Sequence, residues 1–312
     1  MDELISIVIP VFNEELVLDE LHGRLTRLMD GHGLNCEVIL VNDGSRDGTL
    51  GKIKRICSAD RRFKLLGFSR NFGHQMAITA GIDRARGAAI VIMDADLQDP
   101  PEVIVEMIEK WRAGYQVVYG VRSLRRGESR FKLATASLFY RVLRRLTEVE
   151  IPADAGDFRL LDRRVADTLV GMRERARFMR GMVSWVGFRQ TGLEYVREER
   201  FAGETKYPLA KMVRFAIDGI LGFSRLPLKA ASVFGLICSG VSVLYILYAL
   251  GVKYVDPSRG VPGWASLFVA VLFVSGVQLI CLGIIGEYLG RIYDEIKGRP
   301  LYVCAEEMNF DE

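Results

Sequence analysis

Two long uncharged runs near the C-terminus constrain this chain more than any other feature. From Ala230 to Val252 there is no Asp, Glu, Lys or Arg, and Leu, Val, Ile and aromatic residues predominate. A helix over that run would reach about 35 Å at ~1.5 Å per residue, enough to cross a bilayer core of ~30 Å. The second run, Gly260 to Gly286, carries Trp264 near its start and Tyr288 just beyond its end. Aromatic rings at such edges suit the headgroup level. A buried core helix is the alternative for one such run, but core helices are seldom this long, and two in tandem fit that reading worse. The sequence therefore predicts a two-helix transmembrane hairpin over 230–288, with spans of about 230–252 and 264–286.

Orientation follows from the basic residues. Arg225 and Lys229 precede the first span, and Arg291, Lys297 and Arg299 follow the second. By the positive-inside rule both termini face the cytoplasm, so 289–312 is expected as a cytoplasmic tail. The connector, 253–259, has two basic residues of its own, which weakens the contrast. Ahead of the hairpin, Leu209, Met212, Val213, Ala216, Ile217, Ile220 and Leu221 recur at helical spacing, while Lys211, Arg214 and Asp218 fall elsewhere on the wheel. That predicts an amphipathic helix within 208–229 lying in the interface plane, or equally a surface helix packed on the globular part. Segment 130–146 has the same character. Between Val121 and Leu146 eight Arg or Lys residues face a single acidic one, Glu128. Such a cluster suits phosphates or an anionic membrane surface, with an ordinary solvated helix face as the alternative.

Composition removes several classes. A net charge of +3 is too small to argue for nucleic-acid binding. The five cysteines are odd in number, scattered and without a CxxC pair, so neither a disulfide framework nor a zinc site is suggested, which fits a reducing compartment. Asp2 and Glu3 lead straight into a strand-like run, unlike a signal peptide.

The region 1–207 reads as an α/β domain. Leu4 to Pro10, Glu37 to Asn42, Phe63 to Phe68 and Ala89 to Met93 are short apolar runs, separated by helical patterns at Glu15 to Met29, Asp47 to Ser58 and Gln75 to Ala85. This alternation predicts a mostly parallel sheet covered by helices on both faces. Ligands of such sheets bind at the carboxyl ends of the strands. Those ends carry Pro10-Val11-Phe12-Asn13-Glu14, Asn42-Asp43-Gly44-Ser45, Ser69 to His74 and Asp94-Ala95-Asp96-Leu97-Gln98-Asp99. One acidic turn is usually a helix cap, but four polar ends would converge on one rim. No GxGxxG follows any strand, which disfavours a dinucleotide-binding dehydrogenase.

Asp94 and Asp96 stand one residue apart after a buried strand. Two carboxylates so close repel unless a cation or proton intervenes. Mg2+ or Mn2+ prefers oxygen ligands, commonly one or two carboxylates plus substrate phosphates. Gln98 adds a candidate carbonyl ligand, whereas Asp99, before Pro100-Pro101-Glu102, reads as a cap of the next helix. A bare DxD is common by chance; its position after a buried strand gives it meaning.

As a set, SIVIPVFNEE at 6–15, VNDGSRDGT at 41–49, SRNFGHQMA at 69–77 and MDADLQDPPE at 93–102 resemble family 2 glycosyltransferases of the GT-A fold. GDFRLLDRR at 156–164, RFMRGMVSWVGFRQ at 177–190 and FAGETKYPLAKM at 201–212 extend the likeness over nearly the whole chain. It is nearest to the polyisoprenyl-phosphate branch: bactoprenol glucosyltransferases, undecaprenyl-phosphate aminoarabinose-type transferases and dolichol-phosphate mannose synthases. The resemblance implies that Pro10, Phe12 and Glu14 line a nucleotide pocket with Ala95, and that Asp43 bonds the base. It implies that Asp94 and Asp96, the latter also catalytic, hold the metal with the donor diphosphate. Asp157 matches the family's active-site acid near the acceptor, acting as a base or as a positioning group. Arg122, Arg200 and Lys206 are assigned to phosphates, with surface ion pairs as their alternative. His74 and Gln75 are expected to shape the loop, not to carry protons.

The reaction so implied is inverting transfer from a nucleotide-sugar donor, UDP-glucose or a related UDP-sugar, to undecaprenyl or another polyisoprenyl phosphate. The product would be a lipid-linked sugar phosphate for cell-envelope glycan modification. The implied partners are the donor, the lipid acceptor and the membrane, with no nucleic acid. The implied place is the inner cell membrane, multi-pass, with the catalytic domain cytoplasmic. Interfacial helices also leave room for a homo-oligomer. Three rivals stay open. A processive polysaccharide synthase typically carries a QxxRW motif and more spans, neither of which is visible. The intact acidic turn and the basic residues argue against a non-catalytic membrane scaffold with a nucleotide-sugar fold, and a phospholipid-binding membrane adaptor would need neither that turn nor the strand-end cluster.

Overall fold

The computed structural model describes residues 3–122, 155–198, 226–255 and 263–310. The readings made for 130–146 and 208–225, and for Arg200 and Lys206, lie outside these residues. Eight strands and eight helices are described: β1 (Ile5–Val11), α1 (Leu18–His32), β2 (Cys36–Asn42), α2 (Thr49–Ala59), β3 (Phe63–Phe68), α3 (His74–Arg84), β4 (Ala89–Ile92), α4 (Val103–Arg112) and β5 (Val117–Arg122). Then follow β6 (Ala155–Asp162), α5 (Arg163–Gly171), α6 (Met179–Val186), β7 (Gln190–Tyr195), α7 (Leu226–Val255), α8 (Trp264–Ile296) and β8 (Cys304–Met308).

All eight strands form one sheet in the order β7-β5-β6-β4-β1-β2-β3-β8. β3, β2, β1 and β4 run parallel, β6 and β8 oppose them, and β5 and β7 run with the parallel majority. The mostly parallel α/β arrangement expected from the sequence is present. Every residue of β1 and β2 is buried, which happens only when both faces of the sheet are covered. α1 shows how: Leu18, Leu21, Leu25 and Leu28 form one buried stripe, and Gly33 ends the helix at φ 60°.

Pro10 sits in a central strand, where a missing N–H is normally costly. The carbonyl of Val8 accepts from Met93 on the β4 side, and that of Val11 accepts from the Asp43 N–H on the β2 side. By alternation the Pro10 nitrogen faces β4, whose pairing with β1 has already ended at Val8↔Ile92. The ring is tolerated because no partner strand remains there to bond.

The described residues fall into two compact units. One is the sheet with its helices and the segment from Arg299 onward; the other contains α7 and α8. Both expected apolar runs are helical. Among the described residues one stretch, Phe273–Ile296, is long and apolar enough to cross a membrane, and Ala231–Tyr245 is a shorter apolar stretch. One membrane-length stretch, where two were expected, is thus found among the described residues, and it extends well past the expected limit at Gly286. Leu236, Leu279 and Ile280 are each at least 66% exposed, unlike the side chains of a core helix. Residues 289–312, read as a tail, hold the end of α8 and then β8, which joins the sheet edge beside β3.

Candidate active site

The carboxyl ends of β1–β4 are laced into one rim. The N–H of Asn13 donates to Ser45 Oγ at 3.0 Å, and the Arg46 N–H returns to Asn13 Oδ1 at 2.8 Å. The Glu14 N–H donates to Thr49 Oγ1 at 3.0 Å. These bonds fix the loop after β1 against the loop after β2. Pro10 and Ala95 are buried, Glu14 is half-buried, and Phe12 presents its ring to solvent at 40% exposure. The Asp43 carboxylate accepts from the Phe72 N–H at 2.6 Å and the Gly73 N–H at 3.0 Å. Burial pushes Asp43 up despite those two donors. Asp43 is therefore first an organiser of the loop after β3. A carboxylate has about four acceptor positions, so capacity for a further donor remains. Gly44, at φ 65°, lies so close that a β-carbon would meet the Arg70 carbonyl carbon at 2.5 Å, and only glycine fits.

The loop after β4 carries a left-handed residue that is not glycine: Leu97, at φ 58°. For a leucine that conformation costs roughly 1–2 kcal/mol. Its side chain is buried, and the sharp turn holds Asp96 and Gln98 on either side of it, with the Gln98 N–H on Asp96 Oδ1 at 3.2 Å. Strained residues of this kind gather at functional sites. Asp99 corrects its expected role. The residue that caps α4 is Glu102, without a side-chain bond, and the buried Asp99 carboxylate instead accepts from Tyr195 Oη at 2.5 Å.

His74, at the start of α3, joins the two halves of the sheet. Its Nε2 lies 3.5 Å from Asp94 Oδ1 and 3.5 Å from Asp157 Oδ2. The two carboxylates have opposite surroundings. Burial pushes Asp94 up to about 6; His74 works against this, while Asp157, Asp99 and Asp96 add to it. Burial also disfavours the charge on Asp157, but the Arg180 guanidinium, 2.8 Å away, and His74 hold it well below the usual carboxylate range. Burial opposes the charge on His74, yet its bond to Asp157 and the nearby Asp94 raise it to about 9, so it is cationic at neutral pH. Gln75 completes the frame: its Nε2 reaches Asp157 Oδ2 at 3.5 Å, and its Oε1 accepts from the Met179 N–H at 2.9 Å. His74 and Gln75 thus link Asp94, Asp157 and the start of α6.

Arg122, at the end of β5, lies against Gly156, where a β-carbon would stand 3.1 Å from its Nη2. Burial opposes its charge, but bonding to Tyr195 and the proximity of Asp99 hold its pKa above the ordinary arginine value. Two residues escape the sequence reading. Arg180 is the counter-ion of Asp157; a buried acid demands one, and a basic run at 177–190 offered it. Arg159 is two residues from Asp157 on β6, so the two share a face of the strand. It is 3% exposed, donates from Nη2 to the Gly156 carbonyl at 2.8 Å, and is lowered to about 10 by burial.

The metal expectation can be tested against these groups. No three His, Cys, Asp or Glu side chains converge as a ready cage among the described residues. A cation that takes one or two carboxylates and otherwise substrate phosphates needs no such cage. The anionic excess around Asp94 is what such a cation would relieve, so the residues present fit one.

A strand-end acid cluster of this kind is matched by sequence. The profile described as glycosyl transferase family 2 matches residues 6–170. The chain belongs to this family. As a family 2 glycosyltransferase it is 55% identical, over 98% of its length and 94% of the relative's, to the uncharacterized glycosyltransferase YkcC of Bacillus subtilis. It is 40% identical, over 97% of both chains, to the SfII prophage-derived bactoprenol glucosyl transferase of Shigella flexneri. Among solved structures, the mannosyltransferase PcManGT of Pyrobaculum calidifontis, in complex with GDP-Man and Mn2+, aligns with 93% of this chain and 88% of its own. That likeness, at 16% identity and a TM-score of 0.46, is too loose to bear on this enzyme's chemistry.

Proposed function

We propose that this glycosyltransferase moves a hexose from a nucleoside diphosphate sugar, UDP-glucose or a related UDP-sugar, to the phosphate of a polyisoprenyl lipid such as undecaprenyl phosphate. One observation carries the reading: a chain 40% identical along 97% of its length to a bactoprenol glucosyl transferase joins a strand-end acid cluster to an exposed apolar helix of membrane-crossing length. In this reading the sheet is a GT-A fold. α7 and α8 are a hairpin in the inner membrane, and the sheet unit is cytoplasmic.

Pro10, Phe12, Glu14, Asp43 and Ala95 line the donor nucleotide. Asp94 and Asp96, with the Gln98 carbonyl, would hold Mg2+ or Mn2+, which would supply neutralisation of charge on the departing diphosphate. Arg122, together with Arg200 and Lys206, takes phosphate oxygens. A lipid phosphate oxygen forms a bond to the anomeric carbon as that carbon's bond to the donor phosphate breaks, with inversion, and the nucleoside diphosphate leaves. A phosphate monoester has a second pKa of about 6 and is mostly dianionic at neutral pH. It needs little help from a base. Asp157, ion-paired with Arg180 and held well below the usual carboxylate range, is a weak base and a good anchor. Its role is to orient the acceptor side of the site, while charge neutralisation and positioning supply the rate.

The test is transfer of labelled sugar into organic-extractable lipid by the full-length enzyme, with undecaprenyl phosphate, a panel of UDP- and GDP-sugars, and Mn2+ or Mg2+. One donor should give product that EDTA and Asp96→Asn abolish. No lipid product from any donor, despite metal-dependent nucleotide binding, would point to another acceptor or to a scaffold.

A further inference from the structure

The segment that follows the last long helix returns to the catalytic unit and grips the elements that present His74 and Gln75. α8 ends at Ile296, Gly298 turns the chain at φ 57°, and by Tyr302 the chain lies on the sheet unit. The Tyr302 ring stacks on Phe68, the last residue of β3, with centroids 5.1 Å apart and planes 17° from parallel. The next peptide takes up the strand end: the Ser69 N–H donates to the Val303 carbonyl at 3.0 Å. Between Gly67 and Phe68 the pairing with β8 shifts register, an irregularity that re-aims a strand end and is common beside active sites. Phe68 in turn meets Phe72 edge to face at 5.6 Å. Phe72 is the residue whose N–H bonds Asp43.

The same segment holds the far end of α3. Tyr302 Oη donates to Asp83 Oδ2 at 2.9 Å, and Arg84 pairs with Glu307 at 2.5 Å. Asp83 and Arg84 close the helix that His74 and Gln75 open. α3 is therefore fixed by one segment at both ends, through the loop before it and the turn after it. Its first residue, His74, is the one that spans Asp94 and Asp157, and Gln75 beside it also reaches Asp157.

We propose that Tyr302, through Phe68 and Asp83, is a positioning residue for the transfer reaction, and that residues 299–308 are a strap setting the placement of the 69–75 loop. The inference rests on the proposed reading of that loop as part of the active site. The strap is continuous in the chain with the apolar helix that precedes it, and it holds the loop by stacking and hydrogen bonds.

Full-length Tyr302→Ala loses both the ring stack and the bond to Asp83. Its kcat should fall about tenfold, because small displacements of positioning groups cost rate, with donor KM moving much less. Tyr302→Phe keeps the stack and should recover most of that loss. Hydrogen exchange gives a readout independent of acceptor: the 69–75 amides should exchange about tenfold faster in Tyr302→Ala, with the amides of β1 unchanged. Unchanged kcat together with unchanged exchange at 69–75, even with a lower melting temperature, would reduce the strap to a stabilising edge and overturn the proposal. Should Tyr302→Ala not fold, Glu307→Gln removes the charge that pairs with Arg84 and leaves the Tyr302 contacts in place. It is then scored by the same exchange at 69–75, where no change has the same overturning force. A wild-type enzyme that makes no lipid product would sink the proposed reaction, whereas the exchange result judges the strap alone.

Discussion

Asp94 and Asp157 sit on either side of one imidazole, yet the two regions that supply them solve the burial of negative charge in different ways. The parallel half of the sheet, β1–β4, ends in carboxylates whose nearest compensation is shared. Asp94 is pushed up to about 6 by burial and by neighbouring acids. The other half, built from β5–β7 and α6, brings its own cation: Arg180 stands 2.8 Å from Asp157 and keeps it ionised. A region left with surplus negative charge is prepared for a cationic or metal-bearing ligand. A region balanced within itself is prepared to hold a fixed geometry. The first half should answer to ligands and metal, the second to its own integrity.

The largest expected effect lies in the first half. Asp94→Asn removes a carboxylate from the surplus and should lower sugar transfer by about 10³-fold, equivalent to ~4 kcal/mol of transition-state stabilisation. It should also abolish the Mn2+-dependent part of nucleotide binding, measured by calorimetry with and without EDTA. The fold should tolerate it well, since a like-charge repulsion among buried and half-buried acids is relieved. If Asp94→Asn binds nucleotide with unchanged metal dependence, the contrast between the halves is misdrawn.

The second half should respond in stability. Arg180→Ala leaves Asp157 with only His74 and Gln75 beside it, and breaking a buried pair from one side costs on the order of 3 kcal/mol, read as a shift in the denaturant midpoint. The pH dependence sharpens the point. A carboxylate whose folded pKa is depressed adds stability that is present above its unfolded value, ~3.9, and is lost as pH falls toward the folded value. Wild-type stability should therefore drop on acidification below about pH 4, and Asp157→Asn should flatten that drop. Its activity should fall uniformly between pH 5 and 8, by a factor that does not follow a titration curve. Loss of an acidic limb in that profile would restore Asp157 as a base.

The same division explains what the sequence disclosed. β1, β2 and β3 pair with strands near them in the chain, and each of β1–β4 is an apolar run with little inside it to disturb the pattern. Periodicity therefore finds them, and the strand ends follow. β6 breaks the rule because Asp157 and Arg159 are buried charges on a strand, so its pattern resembles a loop; functional sites are where local sequence logic should fail. β8 was hidden for another reason: Cys304–Met308 pairs with β3 across almost the whole chain, and no local signal announces a partner so distant. At the site, Asp94, Asp96, Asp43 and Asp157 were legible as residue types after strands or by resemblance. The pairing of Asp157 with Arg180 was not, because it exists only once α6 is folded against β6.

The smallest expected effect tests whether the halves are as separate as their charges suggest. Asp99 follows β4, but its partners come from the other side: Tyr195 on β7 donates to it at 2.5 Å, and Arg197 Nε stands 3.7 Å away. Tyr195→Phe removes the hydroxyl that bonds Asp99 and Arg122, worth ~1.5 kcal/mol or somewhat more of stability by chemical denaturation. Since burial already pushes Asp99 up, the loss of that donor should raise it further and make the variant's deficit larger at neutral pH than at pH 5. Metal-dependent nucleotide binding should fall far less than in Asp94→Asn, because Asp99 is only one of three acids acting on Asp94 and stays in place. A variant that loses nucleotide affinity as steeply as Asp94→Asn would mean that Asp99 belongs to the donor site, and that the sheet has one charge-balanced centre instead of two.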